Sequence, residues 1–121
     1  AALKIDNEQG KTDIIDLGKF ATLCRKMLLE SMEAYVRRDL ARVAGVAVME
    51  DQADGLYREL RAQVHLLMRR DPDMVVAHGW LLLAIHHLER IADHSVNIAE
   101  RVQYMVSGEL KQITTFQDEP T

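Results

Sequence analysis

The sequence predicts an all-α protein, an antiparallel up-down-up bundle of three helices. Apolar residues recur at steps of three and four in three long segments, and no sustained alternation of the β type competes with that period. Residues typical of helix ends, Asp39 and then Asp71 with Pro72, separate the segments. With 121 residues and a hydrophobic content of 48%, one domain with a substantial core is expected.

The first two helices are delimited by aspartates that can act as N-caps. Asp16 is expected to begin a helix that runs to about Arg38, and Asp39 a second helix that runs to about Arg70. The apolar stripe of the first helix consists of Leu17, Phe20, Cys24, Met27 and Ala34. That of the second consists of Val46, Met49, Ala53, Leu56, Leu60, Val64 and Leu67. Each stripe lies on one helix face and is predicted to point into a shared core.

The boundary before the third helix is marked most strongly. Asp71 is a candidate cap, and Pro72 suits the first helical position, where a missing amide hydrogen costs nothing. Gly108 is placed to end the helix as a C-cap. The apolar stripe between them is Leu81, Ile85, Leu88, Ala92, Ser95, Ala99, Val102 and Val106.

The domain is therefore predicted to span residues 16–108, between a flexible lead-in at 1–15 and a flexible tail at 109–121. Three helices in one layer leave apolar surface uncovered on their outer sides. A second copy of the chain or a second domain is expected to pack there. Trp80 is expected to lie in the core or to anchor such an interface.

Composition excludes several functional classes. A net charge of -4 and an aromatic content of 5% argue against a nucleic-acid-binding protein. Cys24 is the only cysteine, so one chain cannot build a disulfide framework, and we expect it to be a small core residue. The longest uncharged run, from Met74 to Leu88, is too short to span a bilayer. A cytoplasmic protein in a reducing compartment fits these features best.

Two Glu-x-x-x-Asp pairs carry the candidate site: Glu50 with Asp54, and Glu89 with Asp93. A spacing of four residues places both members of a pair on one helix face. The pairs lie at equal distances along the sequence from the Asp71–Pro72 boundary. Antiparallel packing therefore predicts Glu50 level with Asp93, and Asp54 level with Glu89. Four such charges must take up protons, pair with basic side chains or bind a cation.

Three interpretations of these acids remain open from the residues alone. Oxygen donors favour hard cations such as Mg, Ca, Mn or Fe(III), and a neighbouring histidine would extend the range to Zn. Arg58 and Arg90 can instead neutralise the acids, or the acids can form a solvated face of an interaction module without metal. A carboxylate-bridged metal enzyme is the third interpretation, but the Glu-x-x-His spacing of di-iron bundles does not occur.

Among the histidines, His86 is the best placed to join the acids, because it continues their line on the third helix. The adjacent His87 points about 100° away, so the two cannot serve one site. A hydrogen-bonded residue at the helix edge is the simpler interpretation of His86. The same interpretation applies to His65, His78 and His94.

Residues 88–110, LERIADHSVNIAERVQYMVSGEL, resemble the helix-3 signature of the PhoU family, bacterial and archaeal regulators of phosphate uptake and signalling. Residues 49–60, MEDQADGLYREL, look like the other acidic motif of that family, and residues 71–76, DPDMVV, are similar to its turn between helices 2 and 3. The resemblance covers approximately residues 16–110. The helix-3 positions that carry it are Glu89, Arg90, Ile91, Asp93, His94, Asn97, Ile98 and Glu100.

The resemblance implies that Glu50, Asp54, Glu89 and Asp93 bind a metal cluster of iron or zinc at the domain surface. The oxygen donors themselves keep Mg and Mn as further candidates. It implies a non-catalytic, negative regulator linking the phosphate ABC transporter and its ATPase to a membrane sensor histidine kinase. Typical members contain two such domains in tandem, whereas this sequence contains one. Its ending, VSGELK, resembles the close of the second domain. A C-terminal half or a single-domain variant is therefore expected, and a homodimer with it.

Overall fold

The structure, a computed structural model, describes residues 3–6 and 12–108, with side chains described from residue 16. Two short antiparallel strands come first, β1 at Leu3–Asp6 and β2 at Thr12–Ile15, with Leu3 opposite Ile15. The sequence predicted only a flexible lead-in here, because strands of four residues are too short to display a clear alternation. The predicted flexible tail at 109–121 lies outside the described residues.

Three helices that pack against one another form the bundle. Their bounds are Gly18–Arg37 for α1, Leu40–Arg70 for α2 and Val75–Ser107 for α3. A single 3-10 turn, Pro72–Met74, joins α2 to α3. The predicted all-α three-helix bundle is confirmed.

Local capping explains most of the helix ends. The Asp39 carboxylate accepts a hydrogen bond from the Ala41 amide at 2.9 Å and caps α2 as predicted. Gly108 ends α3 with a φ of 73°, a left-handed conformation that glycine adopts at little cost. Asp16 accepts from the Gly18 amide at 3.0 Å, so it supports the first turn of α1 from one position earlier than an N-cap.

The start of α3 differs from the prediction. Asp71 precedes a proline and is therefore held away from the helical region, with a φ of -140° and a ψ of 74°. Its side chain makes no capping hydrogen bond. Its carbonyl instead accepts from the Met74 amide at 3.0 Å, which forms the 3-10 turn and moves the first residue of α3 to Val75.

The core lies where the three predicted stripes meet. Its buried apolar residues are Phe20, Cys24, Met27 and Ala34 of α1, Val43, Val46, Ala53, Leu60, Val64 and Leu67 of α2, and Leu81, Ile85, Ala92, Val96, Ala99 and Val102 of α3. Ser31 and Ser95 are also fully buried, and each donates its hydroxyl to a main-chain carbonyl of the preceding turn. Their hydrogen bonds are therefore satisfied within their own helices.

Several residues depart from the predicted core pattern. Four members of the predicted stripes are only partly buried: Leu17, Met49, Leu56 and Leu88. Val106 is 42% exposed, although the stripe of α3 included it. His78, interpreted as an edge histidine, is fully buried, and neither of its ring nitrogens has a hydrogen-bond partner in the described part of the chain. It lies one turn before Leu81, in phase with the apolar stripe, so its helical position determines its burial.

None of the described helices is long and apolar enough to cross a membrane.

The cap at Asp39 provides a test of this fold. Replacing Asp39 with Ala removes its hydrogen bond to the Ala41 amide and its 3.4 Å ion pair with Arg42. We expect the free energy of unfolding to fall by about 1 kcal/mol, the usual contribution of an N-cap. Urea unfolding followed by circular dichroism measures this loss. Asp39→Asn is the matched control, because it keeps a capping oxygen while losing the charge, and an equal loss in both variants would contradict the capping role.

Candidate metal site between the second and third helices

The candidate site lies where α2 and α3 run side by side. Glu50 and Asp54 lie one turn apart on α2, and Glu89 and Asp93 lie one turn apart on α3. The short turn at Pro72–Met74 makes the two helices antiparallel neighbours. Glu50 is buried, Asp54 and Glu89 are half-buried, and Asp93 is exposed.

Glu50 has the most unusual environment of the four. Glu50 is only 3% exposed, and its carboxylate has no hydrogen-bond or ion-pair partner in the described residues. Its oxygens keep a small contact with solvent, since they are not among the fully buried unpartnered atoms of that part of the chain. Burial, reinforced by the charges of Asp54, Asp93 and Glu89, raises its pKa to about 7. A buried carboxylate without a partner is costly, and a proton or a cation relieves that cost.

The other acids act on one another as well as on Glu50. Burial raises the pKa of Asp54, and Asp93 raises it further, whereas the Arg58 guanidinium opposes the rise. Burial and Asp93 likewise raise the pKa of Glu89. The structure therefore brings the four carboxylates close enough for mutual repulsion to penalise their full ionisation.

Arginine charges act on two of the four acids, Asp54 and Glu89. Neither Arg58 nor Arg90, the two neutralising candidates from the sequence, forms an ion pair with the four acids within the described residues. Arg61 was not considered from the sequence, yet its charge acts on Glu89, and its guanidinium lies 5.1 Å from the centroid of the Tyr57 ring. Its place one helix turn after Tyr57 is the signal that could have identified it.

The first helix also borders the site. Cys24 of α1 is fully buried beneath the acids, where burial, followed by the charges of Glu50, Asp93 and Glu89, raises the pKa of its thiol to about 12. The thiol therefore stays protonated at neutral pH. The predicted role of Cys24 as a core residue is correct, but the sequence did not indicate that it lies under the acidic groove.

The donor types suit a hard cation, although the side chains are not oriented around a common point. No set of three or more His, Cys, Asp or Glu side chains in the described ranges is arranged to hold a metal ion. The fit rests on chemistry: four carboxylates from two helices, one of them buried and unpartnered, supply the oxygen ligands that such ions prefer. The side chains must turn toward one another to complete a coordination shell.

Glu50 makes the stability of the metal-free protein depend on pH. Its pKa is raised from 4.5 to about 7 in the folded state, so folding favours the protonated carboxyl. This contribution is complete below about pH 4.5 and is lost as the pH rises through about 7. Glu50→Gln should therefore be more stable than the wild type at pH 8, by about 1–2 kcal/mol once solvent screening of the carboxylate is allowed for.

Urea unfolding between pH 4.5 and 8, with chelator present, measures this difference. The variant should lose less stability than the wild type as the pH rises. Glu59→Gln is the matched control, since Glu59 is an exposed glutamate on the same helix. Equal pH profiles for wild type and Glu50→Gln would contradict the assigned pKa.

Cys24 supplies a separate test of the packing beneath the acids. At pH 8 its buried, protonated thiol should react with a thiol-specific reagent no faster than the protein unfolds. Absorbance of the released chromophore reports the reaction, and addition of urea should make it fast and stoichiometric. Rapid labelling of the folded protein would place the thiol at the surface instead.

Comparison with known proteins extends these observations. Residues 17–102 match the PhoU domain. The chain is 28% identical over 108 residues to a protein of Clostridium acetobutylicum called phosphate-specific transport system accessory protein PhoU homolog, a match that covers 88% of this chain and 49% of the relative. A protein of the same name from Streptococcus pneumoniae is 29% identical over 110 residues, with 91% and 51% covered. No solved structure matches the chain.

A third relative with that name, from Caulobacter vibrioides, is 32% identical over 91 residues, which cover 75% of this chain and 40% of the relative. The chain thus spans about half the length of the curated relatives it matches. The domain match begins one residue before α1 and continues nearly to the end of α3, so it includes both acidic pairs and the turn between them. By this match the chain belongs to the PhoU domain family.

Proposed function

We propose that this chain is a regulatory accessory domain of phosphate uptake that binds metal through Glu50, Asp54, Glu89 and Asp93. The observation that carries the metal assignment is Glu50, which is only 3% exposed, has no hydrogen-bond or ion-pair partner in the described residues, and is repelled by three nearby acids. Membership of the PhoU domain family supports the phosphate role. The relatives from Clostridium and Streptococcus have names that describe accessory proteins of phosphate-specific transport.

Iron or zinc is the proposed metal, with magnesium and manganese as further candidates. When bound, such an ion supplies the positive charge that the four carboxylates lack. The protein's own residues do the rest: Glu50 offers a ligand from the core side, and Asp54, Glu89 and Asp93 offer ligands from the rim of the groove. The role is regulatory rather than catalytic.

The proposed partners are the ATPase of the phosphate ABC transporter and a sensor histidine kinase, which places the protein in the cytoplasm. Exposed apolar side chains on the outer helices provide surface for such contacts. Trp80 is 67% exposed and Val36 is 78% exposed, so Trp80 is not a core residue. Since the chain spans about half of its relatives, a second copy in a homodimer is the proposed cover for part of this surface.

An alternative function is a helical interaction module whose acidic face is solvated and holds no metal. The observation in its favour is that no three candidate ligands in the described chain converge on one point. The low exposure of Glu50 argues against it, because a glutamate on a solvated helix face is not reduced to 3% exposure. Metal titration separates the two functions.

Titration calorimetry of chelator-treated protein with zinc, manganese and, without oxygen, ferrous iron tests the proposal. The wild type should bind at least one of these ions saturably. The double variant Glu89→Ala, Asp93→Ala should bind it about 100-fold more weakly or not at all, because even outer-shell changes alter metal affinity by about 10–100-fold. The double variant Glu59→Ala, Asp73→Ala removes the same charge at exposed positions and should bind like the wild type.

The same two double variants, introduced into the producing organism, test the regulatory role. A phosphate-responsive promoter should lose repression in phosphate-rich medium with Glu89→Ala, Asp93→Ala and should keep it with the control. Elemental analysis of the native protein should find stoichiometric metal. Metal-free native protein, together with an intact phosphate response in the site variant, would rule out the metal-dependent function.

A further inference from the structure

We propose that a groove between α1 and α2, here called the α1/α2 groove, binds a small phosphate ester with an apolar-faced body, of the class of a nucleoside monophosphate. The groove has a volume of about 600 Å³. Small-molecule sites in proteins have volumes of about 300–1,000 Å³. None of the four acids lines the α1/α2 groove, so this inference goes beyond the proposed metal binding and does not depend on it.

A line of hydrogen-bond donors runs along the α1 side of the groove. Lys19, Thr22 and Lys26 follow one another at steps of three and four residues, so they lie on one face of the helix. The two lysines are about 10 Å apart along the helix axis. Their flexible four-carbon stems can bring both ammonium groups toward the hydroxyl of Thr22 between them.

The two lysines are not engaged elsewhere in the described part of the chain. Both are exposed, and neither forms an ion pair with a described residue. Glu59 is the one acid that lines the α1/α2 groove, and it lies toward Lys19, where both residues also border a smaller cavity beside Asp16. The α1 side of the groove is therefore positively charged around Thr22 and Lys26, although the whole chain has a net charge of -4.

The floor of the groove is apolar. Leu23 of α1 and Leu56 of α2 are half-buried and pack against the core, and Gln52 adds an amide that can donate or accept hydrogen bonds. A phosphate monoester matches both parts, because its charged group suits lysine, a common phosphate-binding residue. A nucleoside body offers a planar base whose apolar faces can cover the leucines.

Gly55 keeps the middle of the groove open. It lies inside α2, where glycine is less favourable than alanine. A Cβ atom added there would meet nothing within 4 Å, so the packing of the bundle does not require a glycine. Because Gly55 is exposed and lines the α1/α2 groove, a larger side chain would occupy space that a ligand can use. A bound ligand gives this glycine a role that a solvated helix face does not.

Titration calorimetry with adenosine monophosphate, adenosine and inorganic phosphate tests the proposal, with chelator present so that no metal ion can bridge protein and phosphate. Adenosine monophosphate should bind saturably and at least about tenfold more tightly than either of the other two. Lys26→Ala should weaken its binding about tenfold, as expected for the loss of a hydrogen bond to a charged group. Arg25→Ala is the matched control, since it removes the same charge from an exposed neighbour that does not line the groove.

A second pair of variants tests the groove without changing charge. Gly55→Gln should raise the urea midpoint, because glutamine is the better helix former, and should weaken nucleotide binding about tenfold or more by occupying the groove. Gly79→Gln is the control, because a Cβ at this helical glycine of α3 also meets nothing within 4 Å. It should raise the midpoint and leave nucleotide binding unchanged.

Three results would overturn the proposal. Saturable binding of none of the three compounds would mean that the α1/α2 groove is not such a site. Nucleotide binding that is unchanged in Lys26→Ala or in Gly55→Gln would place the ligand elsewhere. Equal affinity for the nucleotide and for either inorganic phosphate or adenosine would contradict a site that recognises both halves of the ligand. In each case the metal-binding function stands or fails separately, since its acids lie outside this groove.

Discussion

The antiparallel pairing of α2 and α3 is the constraint on which the site depends. Pro72 forces the residue before it out of the helical region, and the resulting 3-10 turn reverses the chain within a few residues. Two long helices then lie side by side, and acids that are far apart in sequence meet in one groove. A looser connection would leave the two Glu-x-x-x-Asp pairs as separate helix faces.

At Glu50, a residue of the candidate site occupies a position where it lowers the stability of the fold. Glu50 occupies a position that faces the core, where an apolar side chain of similar volume would pack without the cost of burying a carboxylate. Proteins break such local rules mainly where a site requires it. The neighbouring acids increase the cost rather than offset it, which distinguishes this cluster from a network of ion pairs.

The sequence predicted most of the fold because helical period and capping residues are local signals. Asp39 and Gly108 mark ends that the structure confirms, whereas the start of α3 moved to Val75 because the effect of Pro72 on Asp71 outweighed its capping potential. The strands β1 and β2 were not predicted, since four residues are too few to show an alternating pattern.

Less of the candidate site than of the fold could be predicted from the sequence. Period assigns a residue to a helix face but not to a depth, so Met49 was expected in the core and its neighbour Glu50 at the edge, whereas Glu50 is buried and Met49 only partly so. The period of the sequence likewise does not predict the torsion angles of side chains. That is why four acids could be predicted to face one groove while the orientation of their oxygens could not.

The thiol of Cys24 has a consequence for which ions the groove can attract. Soft ions such as copper(I) and cadmium seek thiolate sulfur, and a sulfur atom lies directly beneath the acids. Because burial, reinforced by the charges of Glu50, Asp93 and Glu89, keeps that sulfur in its protonated form, it presents no thiolate ligand and resists oxidation at neutral pH. Any ion held in the groove at neutral pH would therefore meet carboxylate oxygen, while the sulfur below stays a buried thiol.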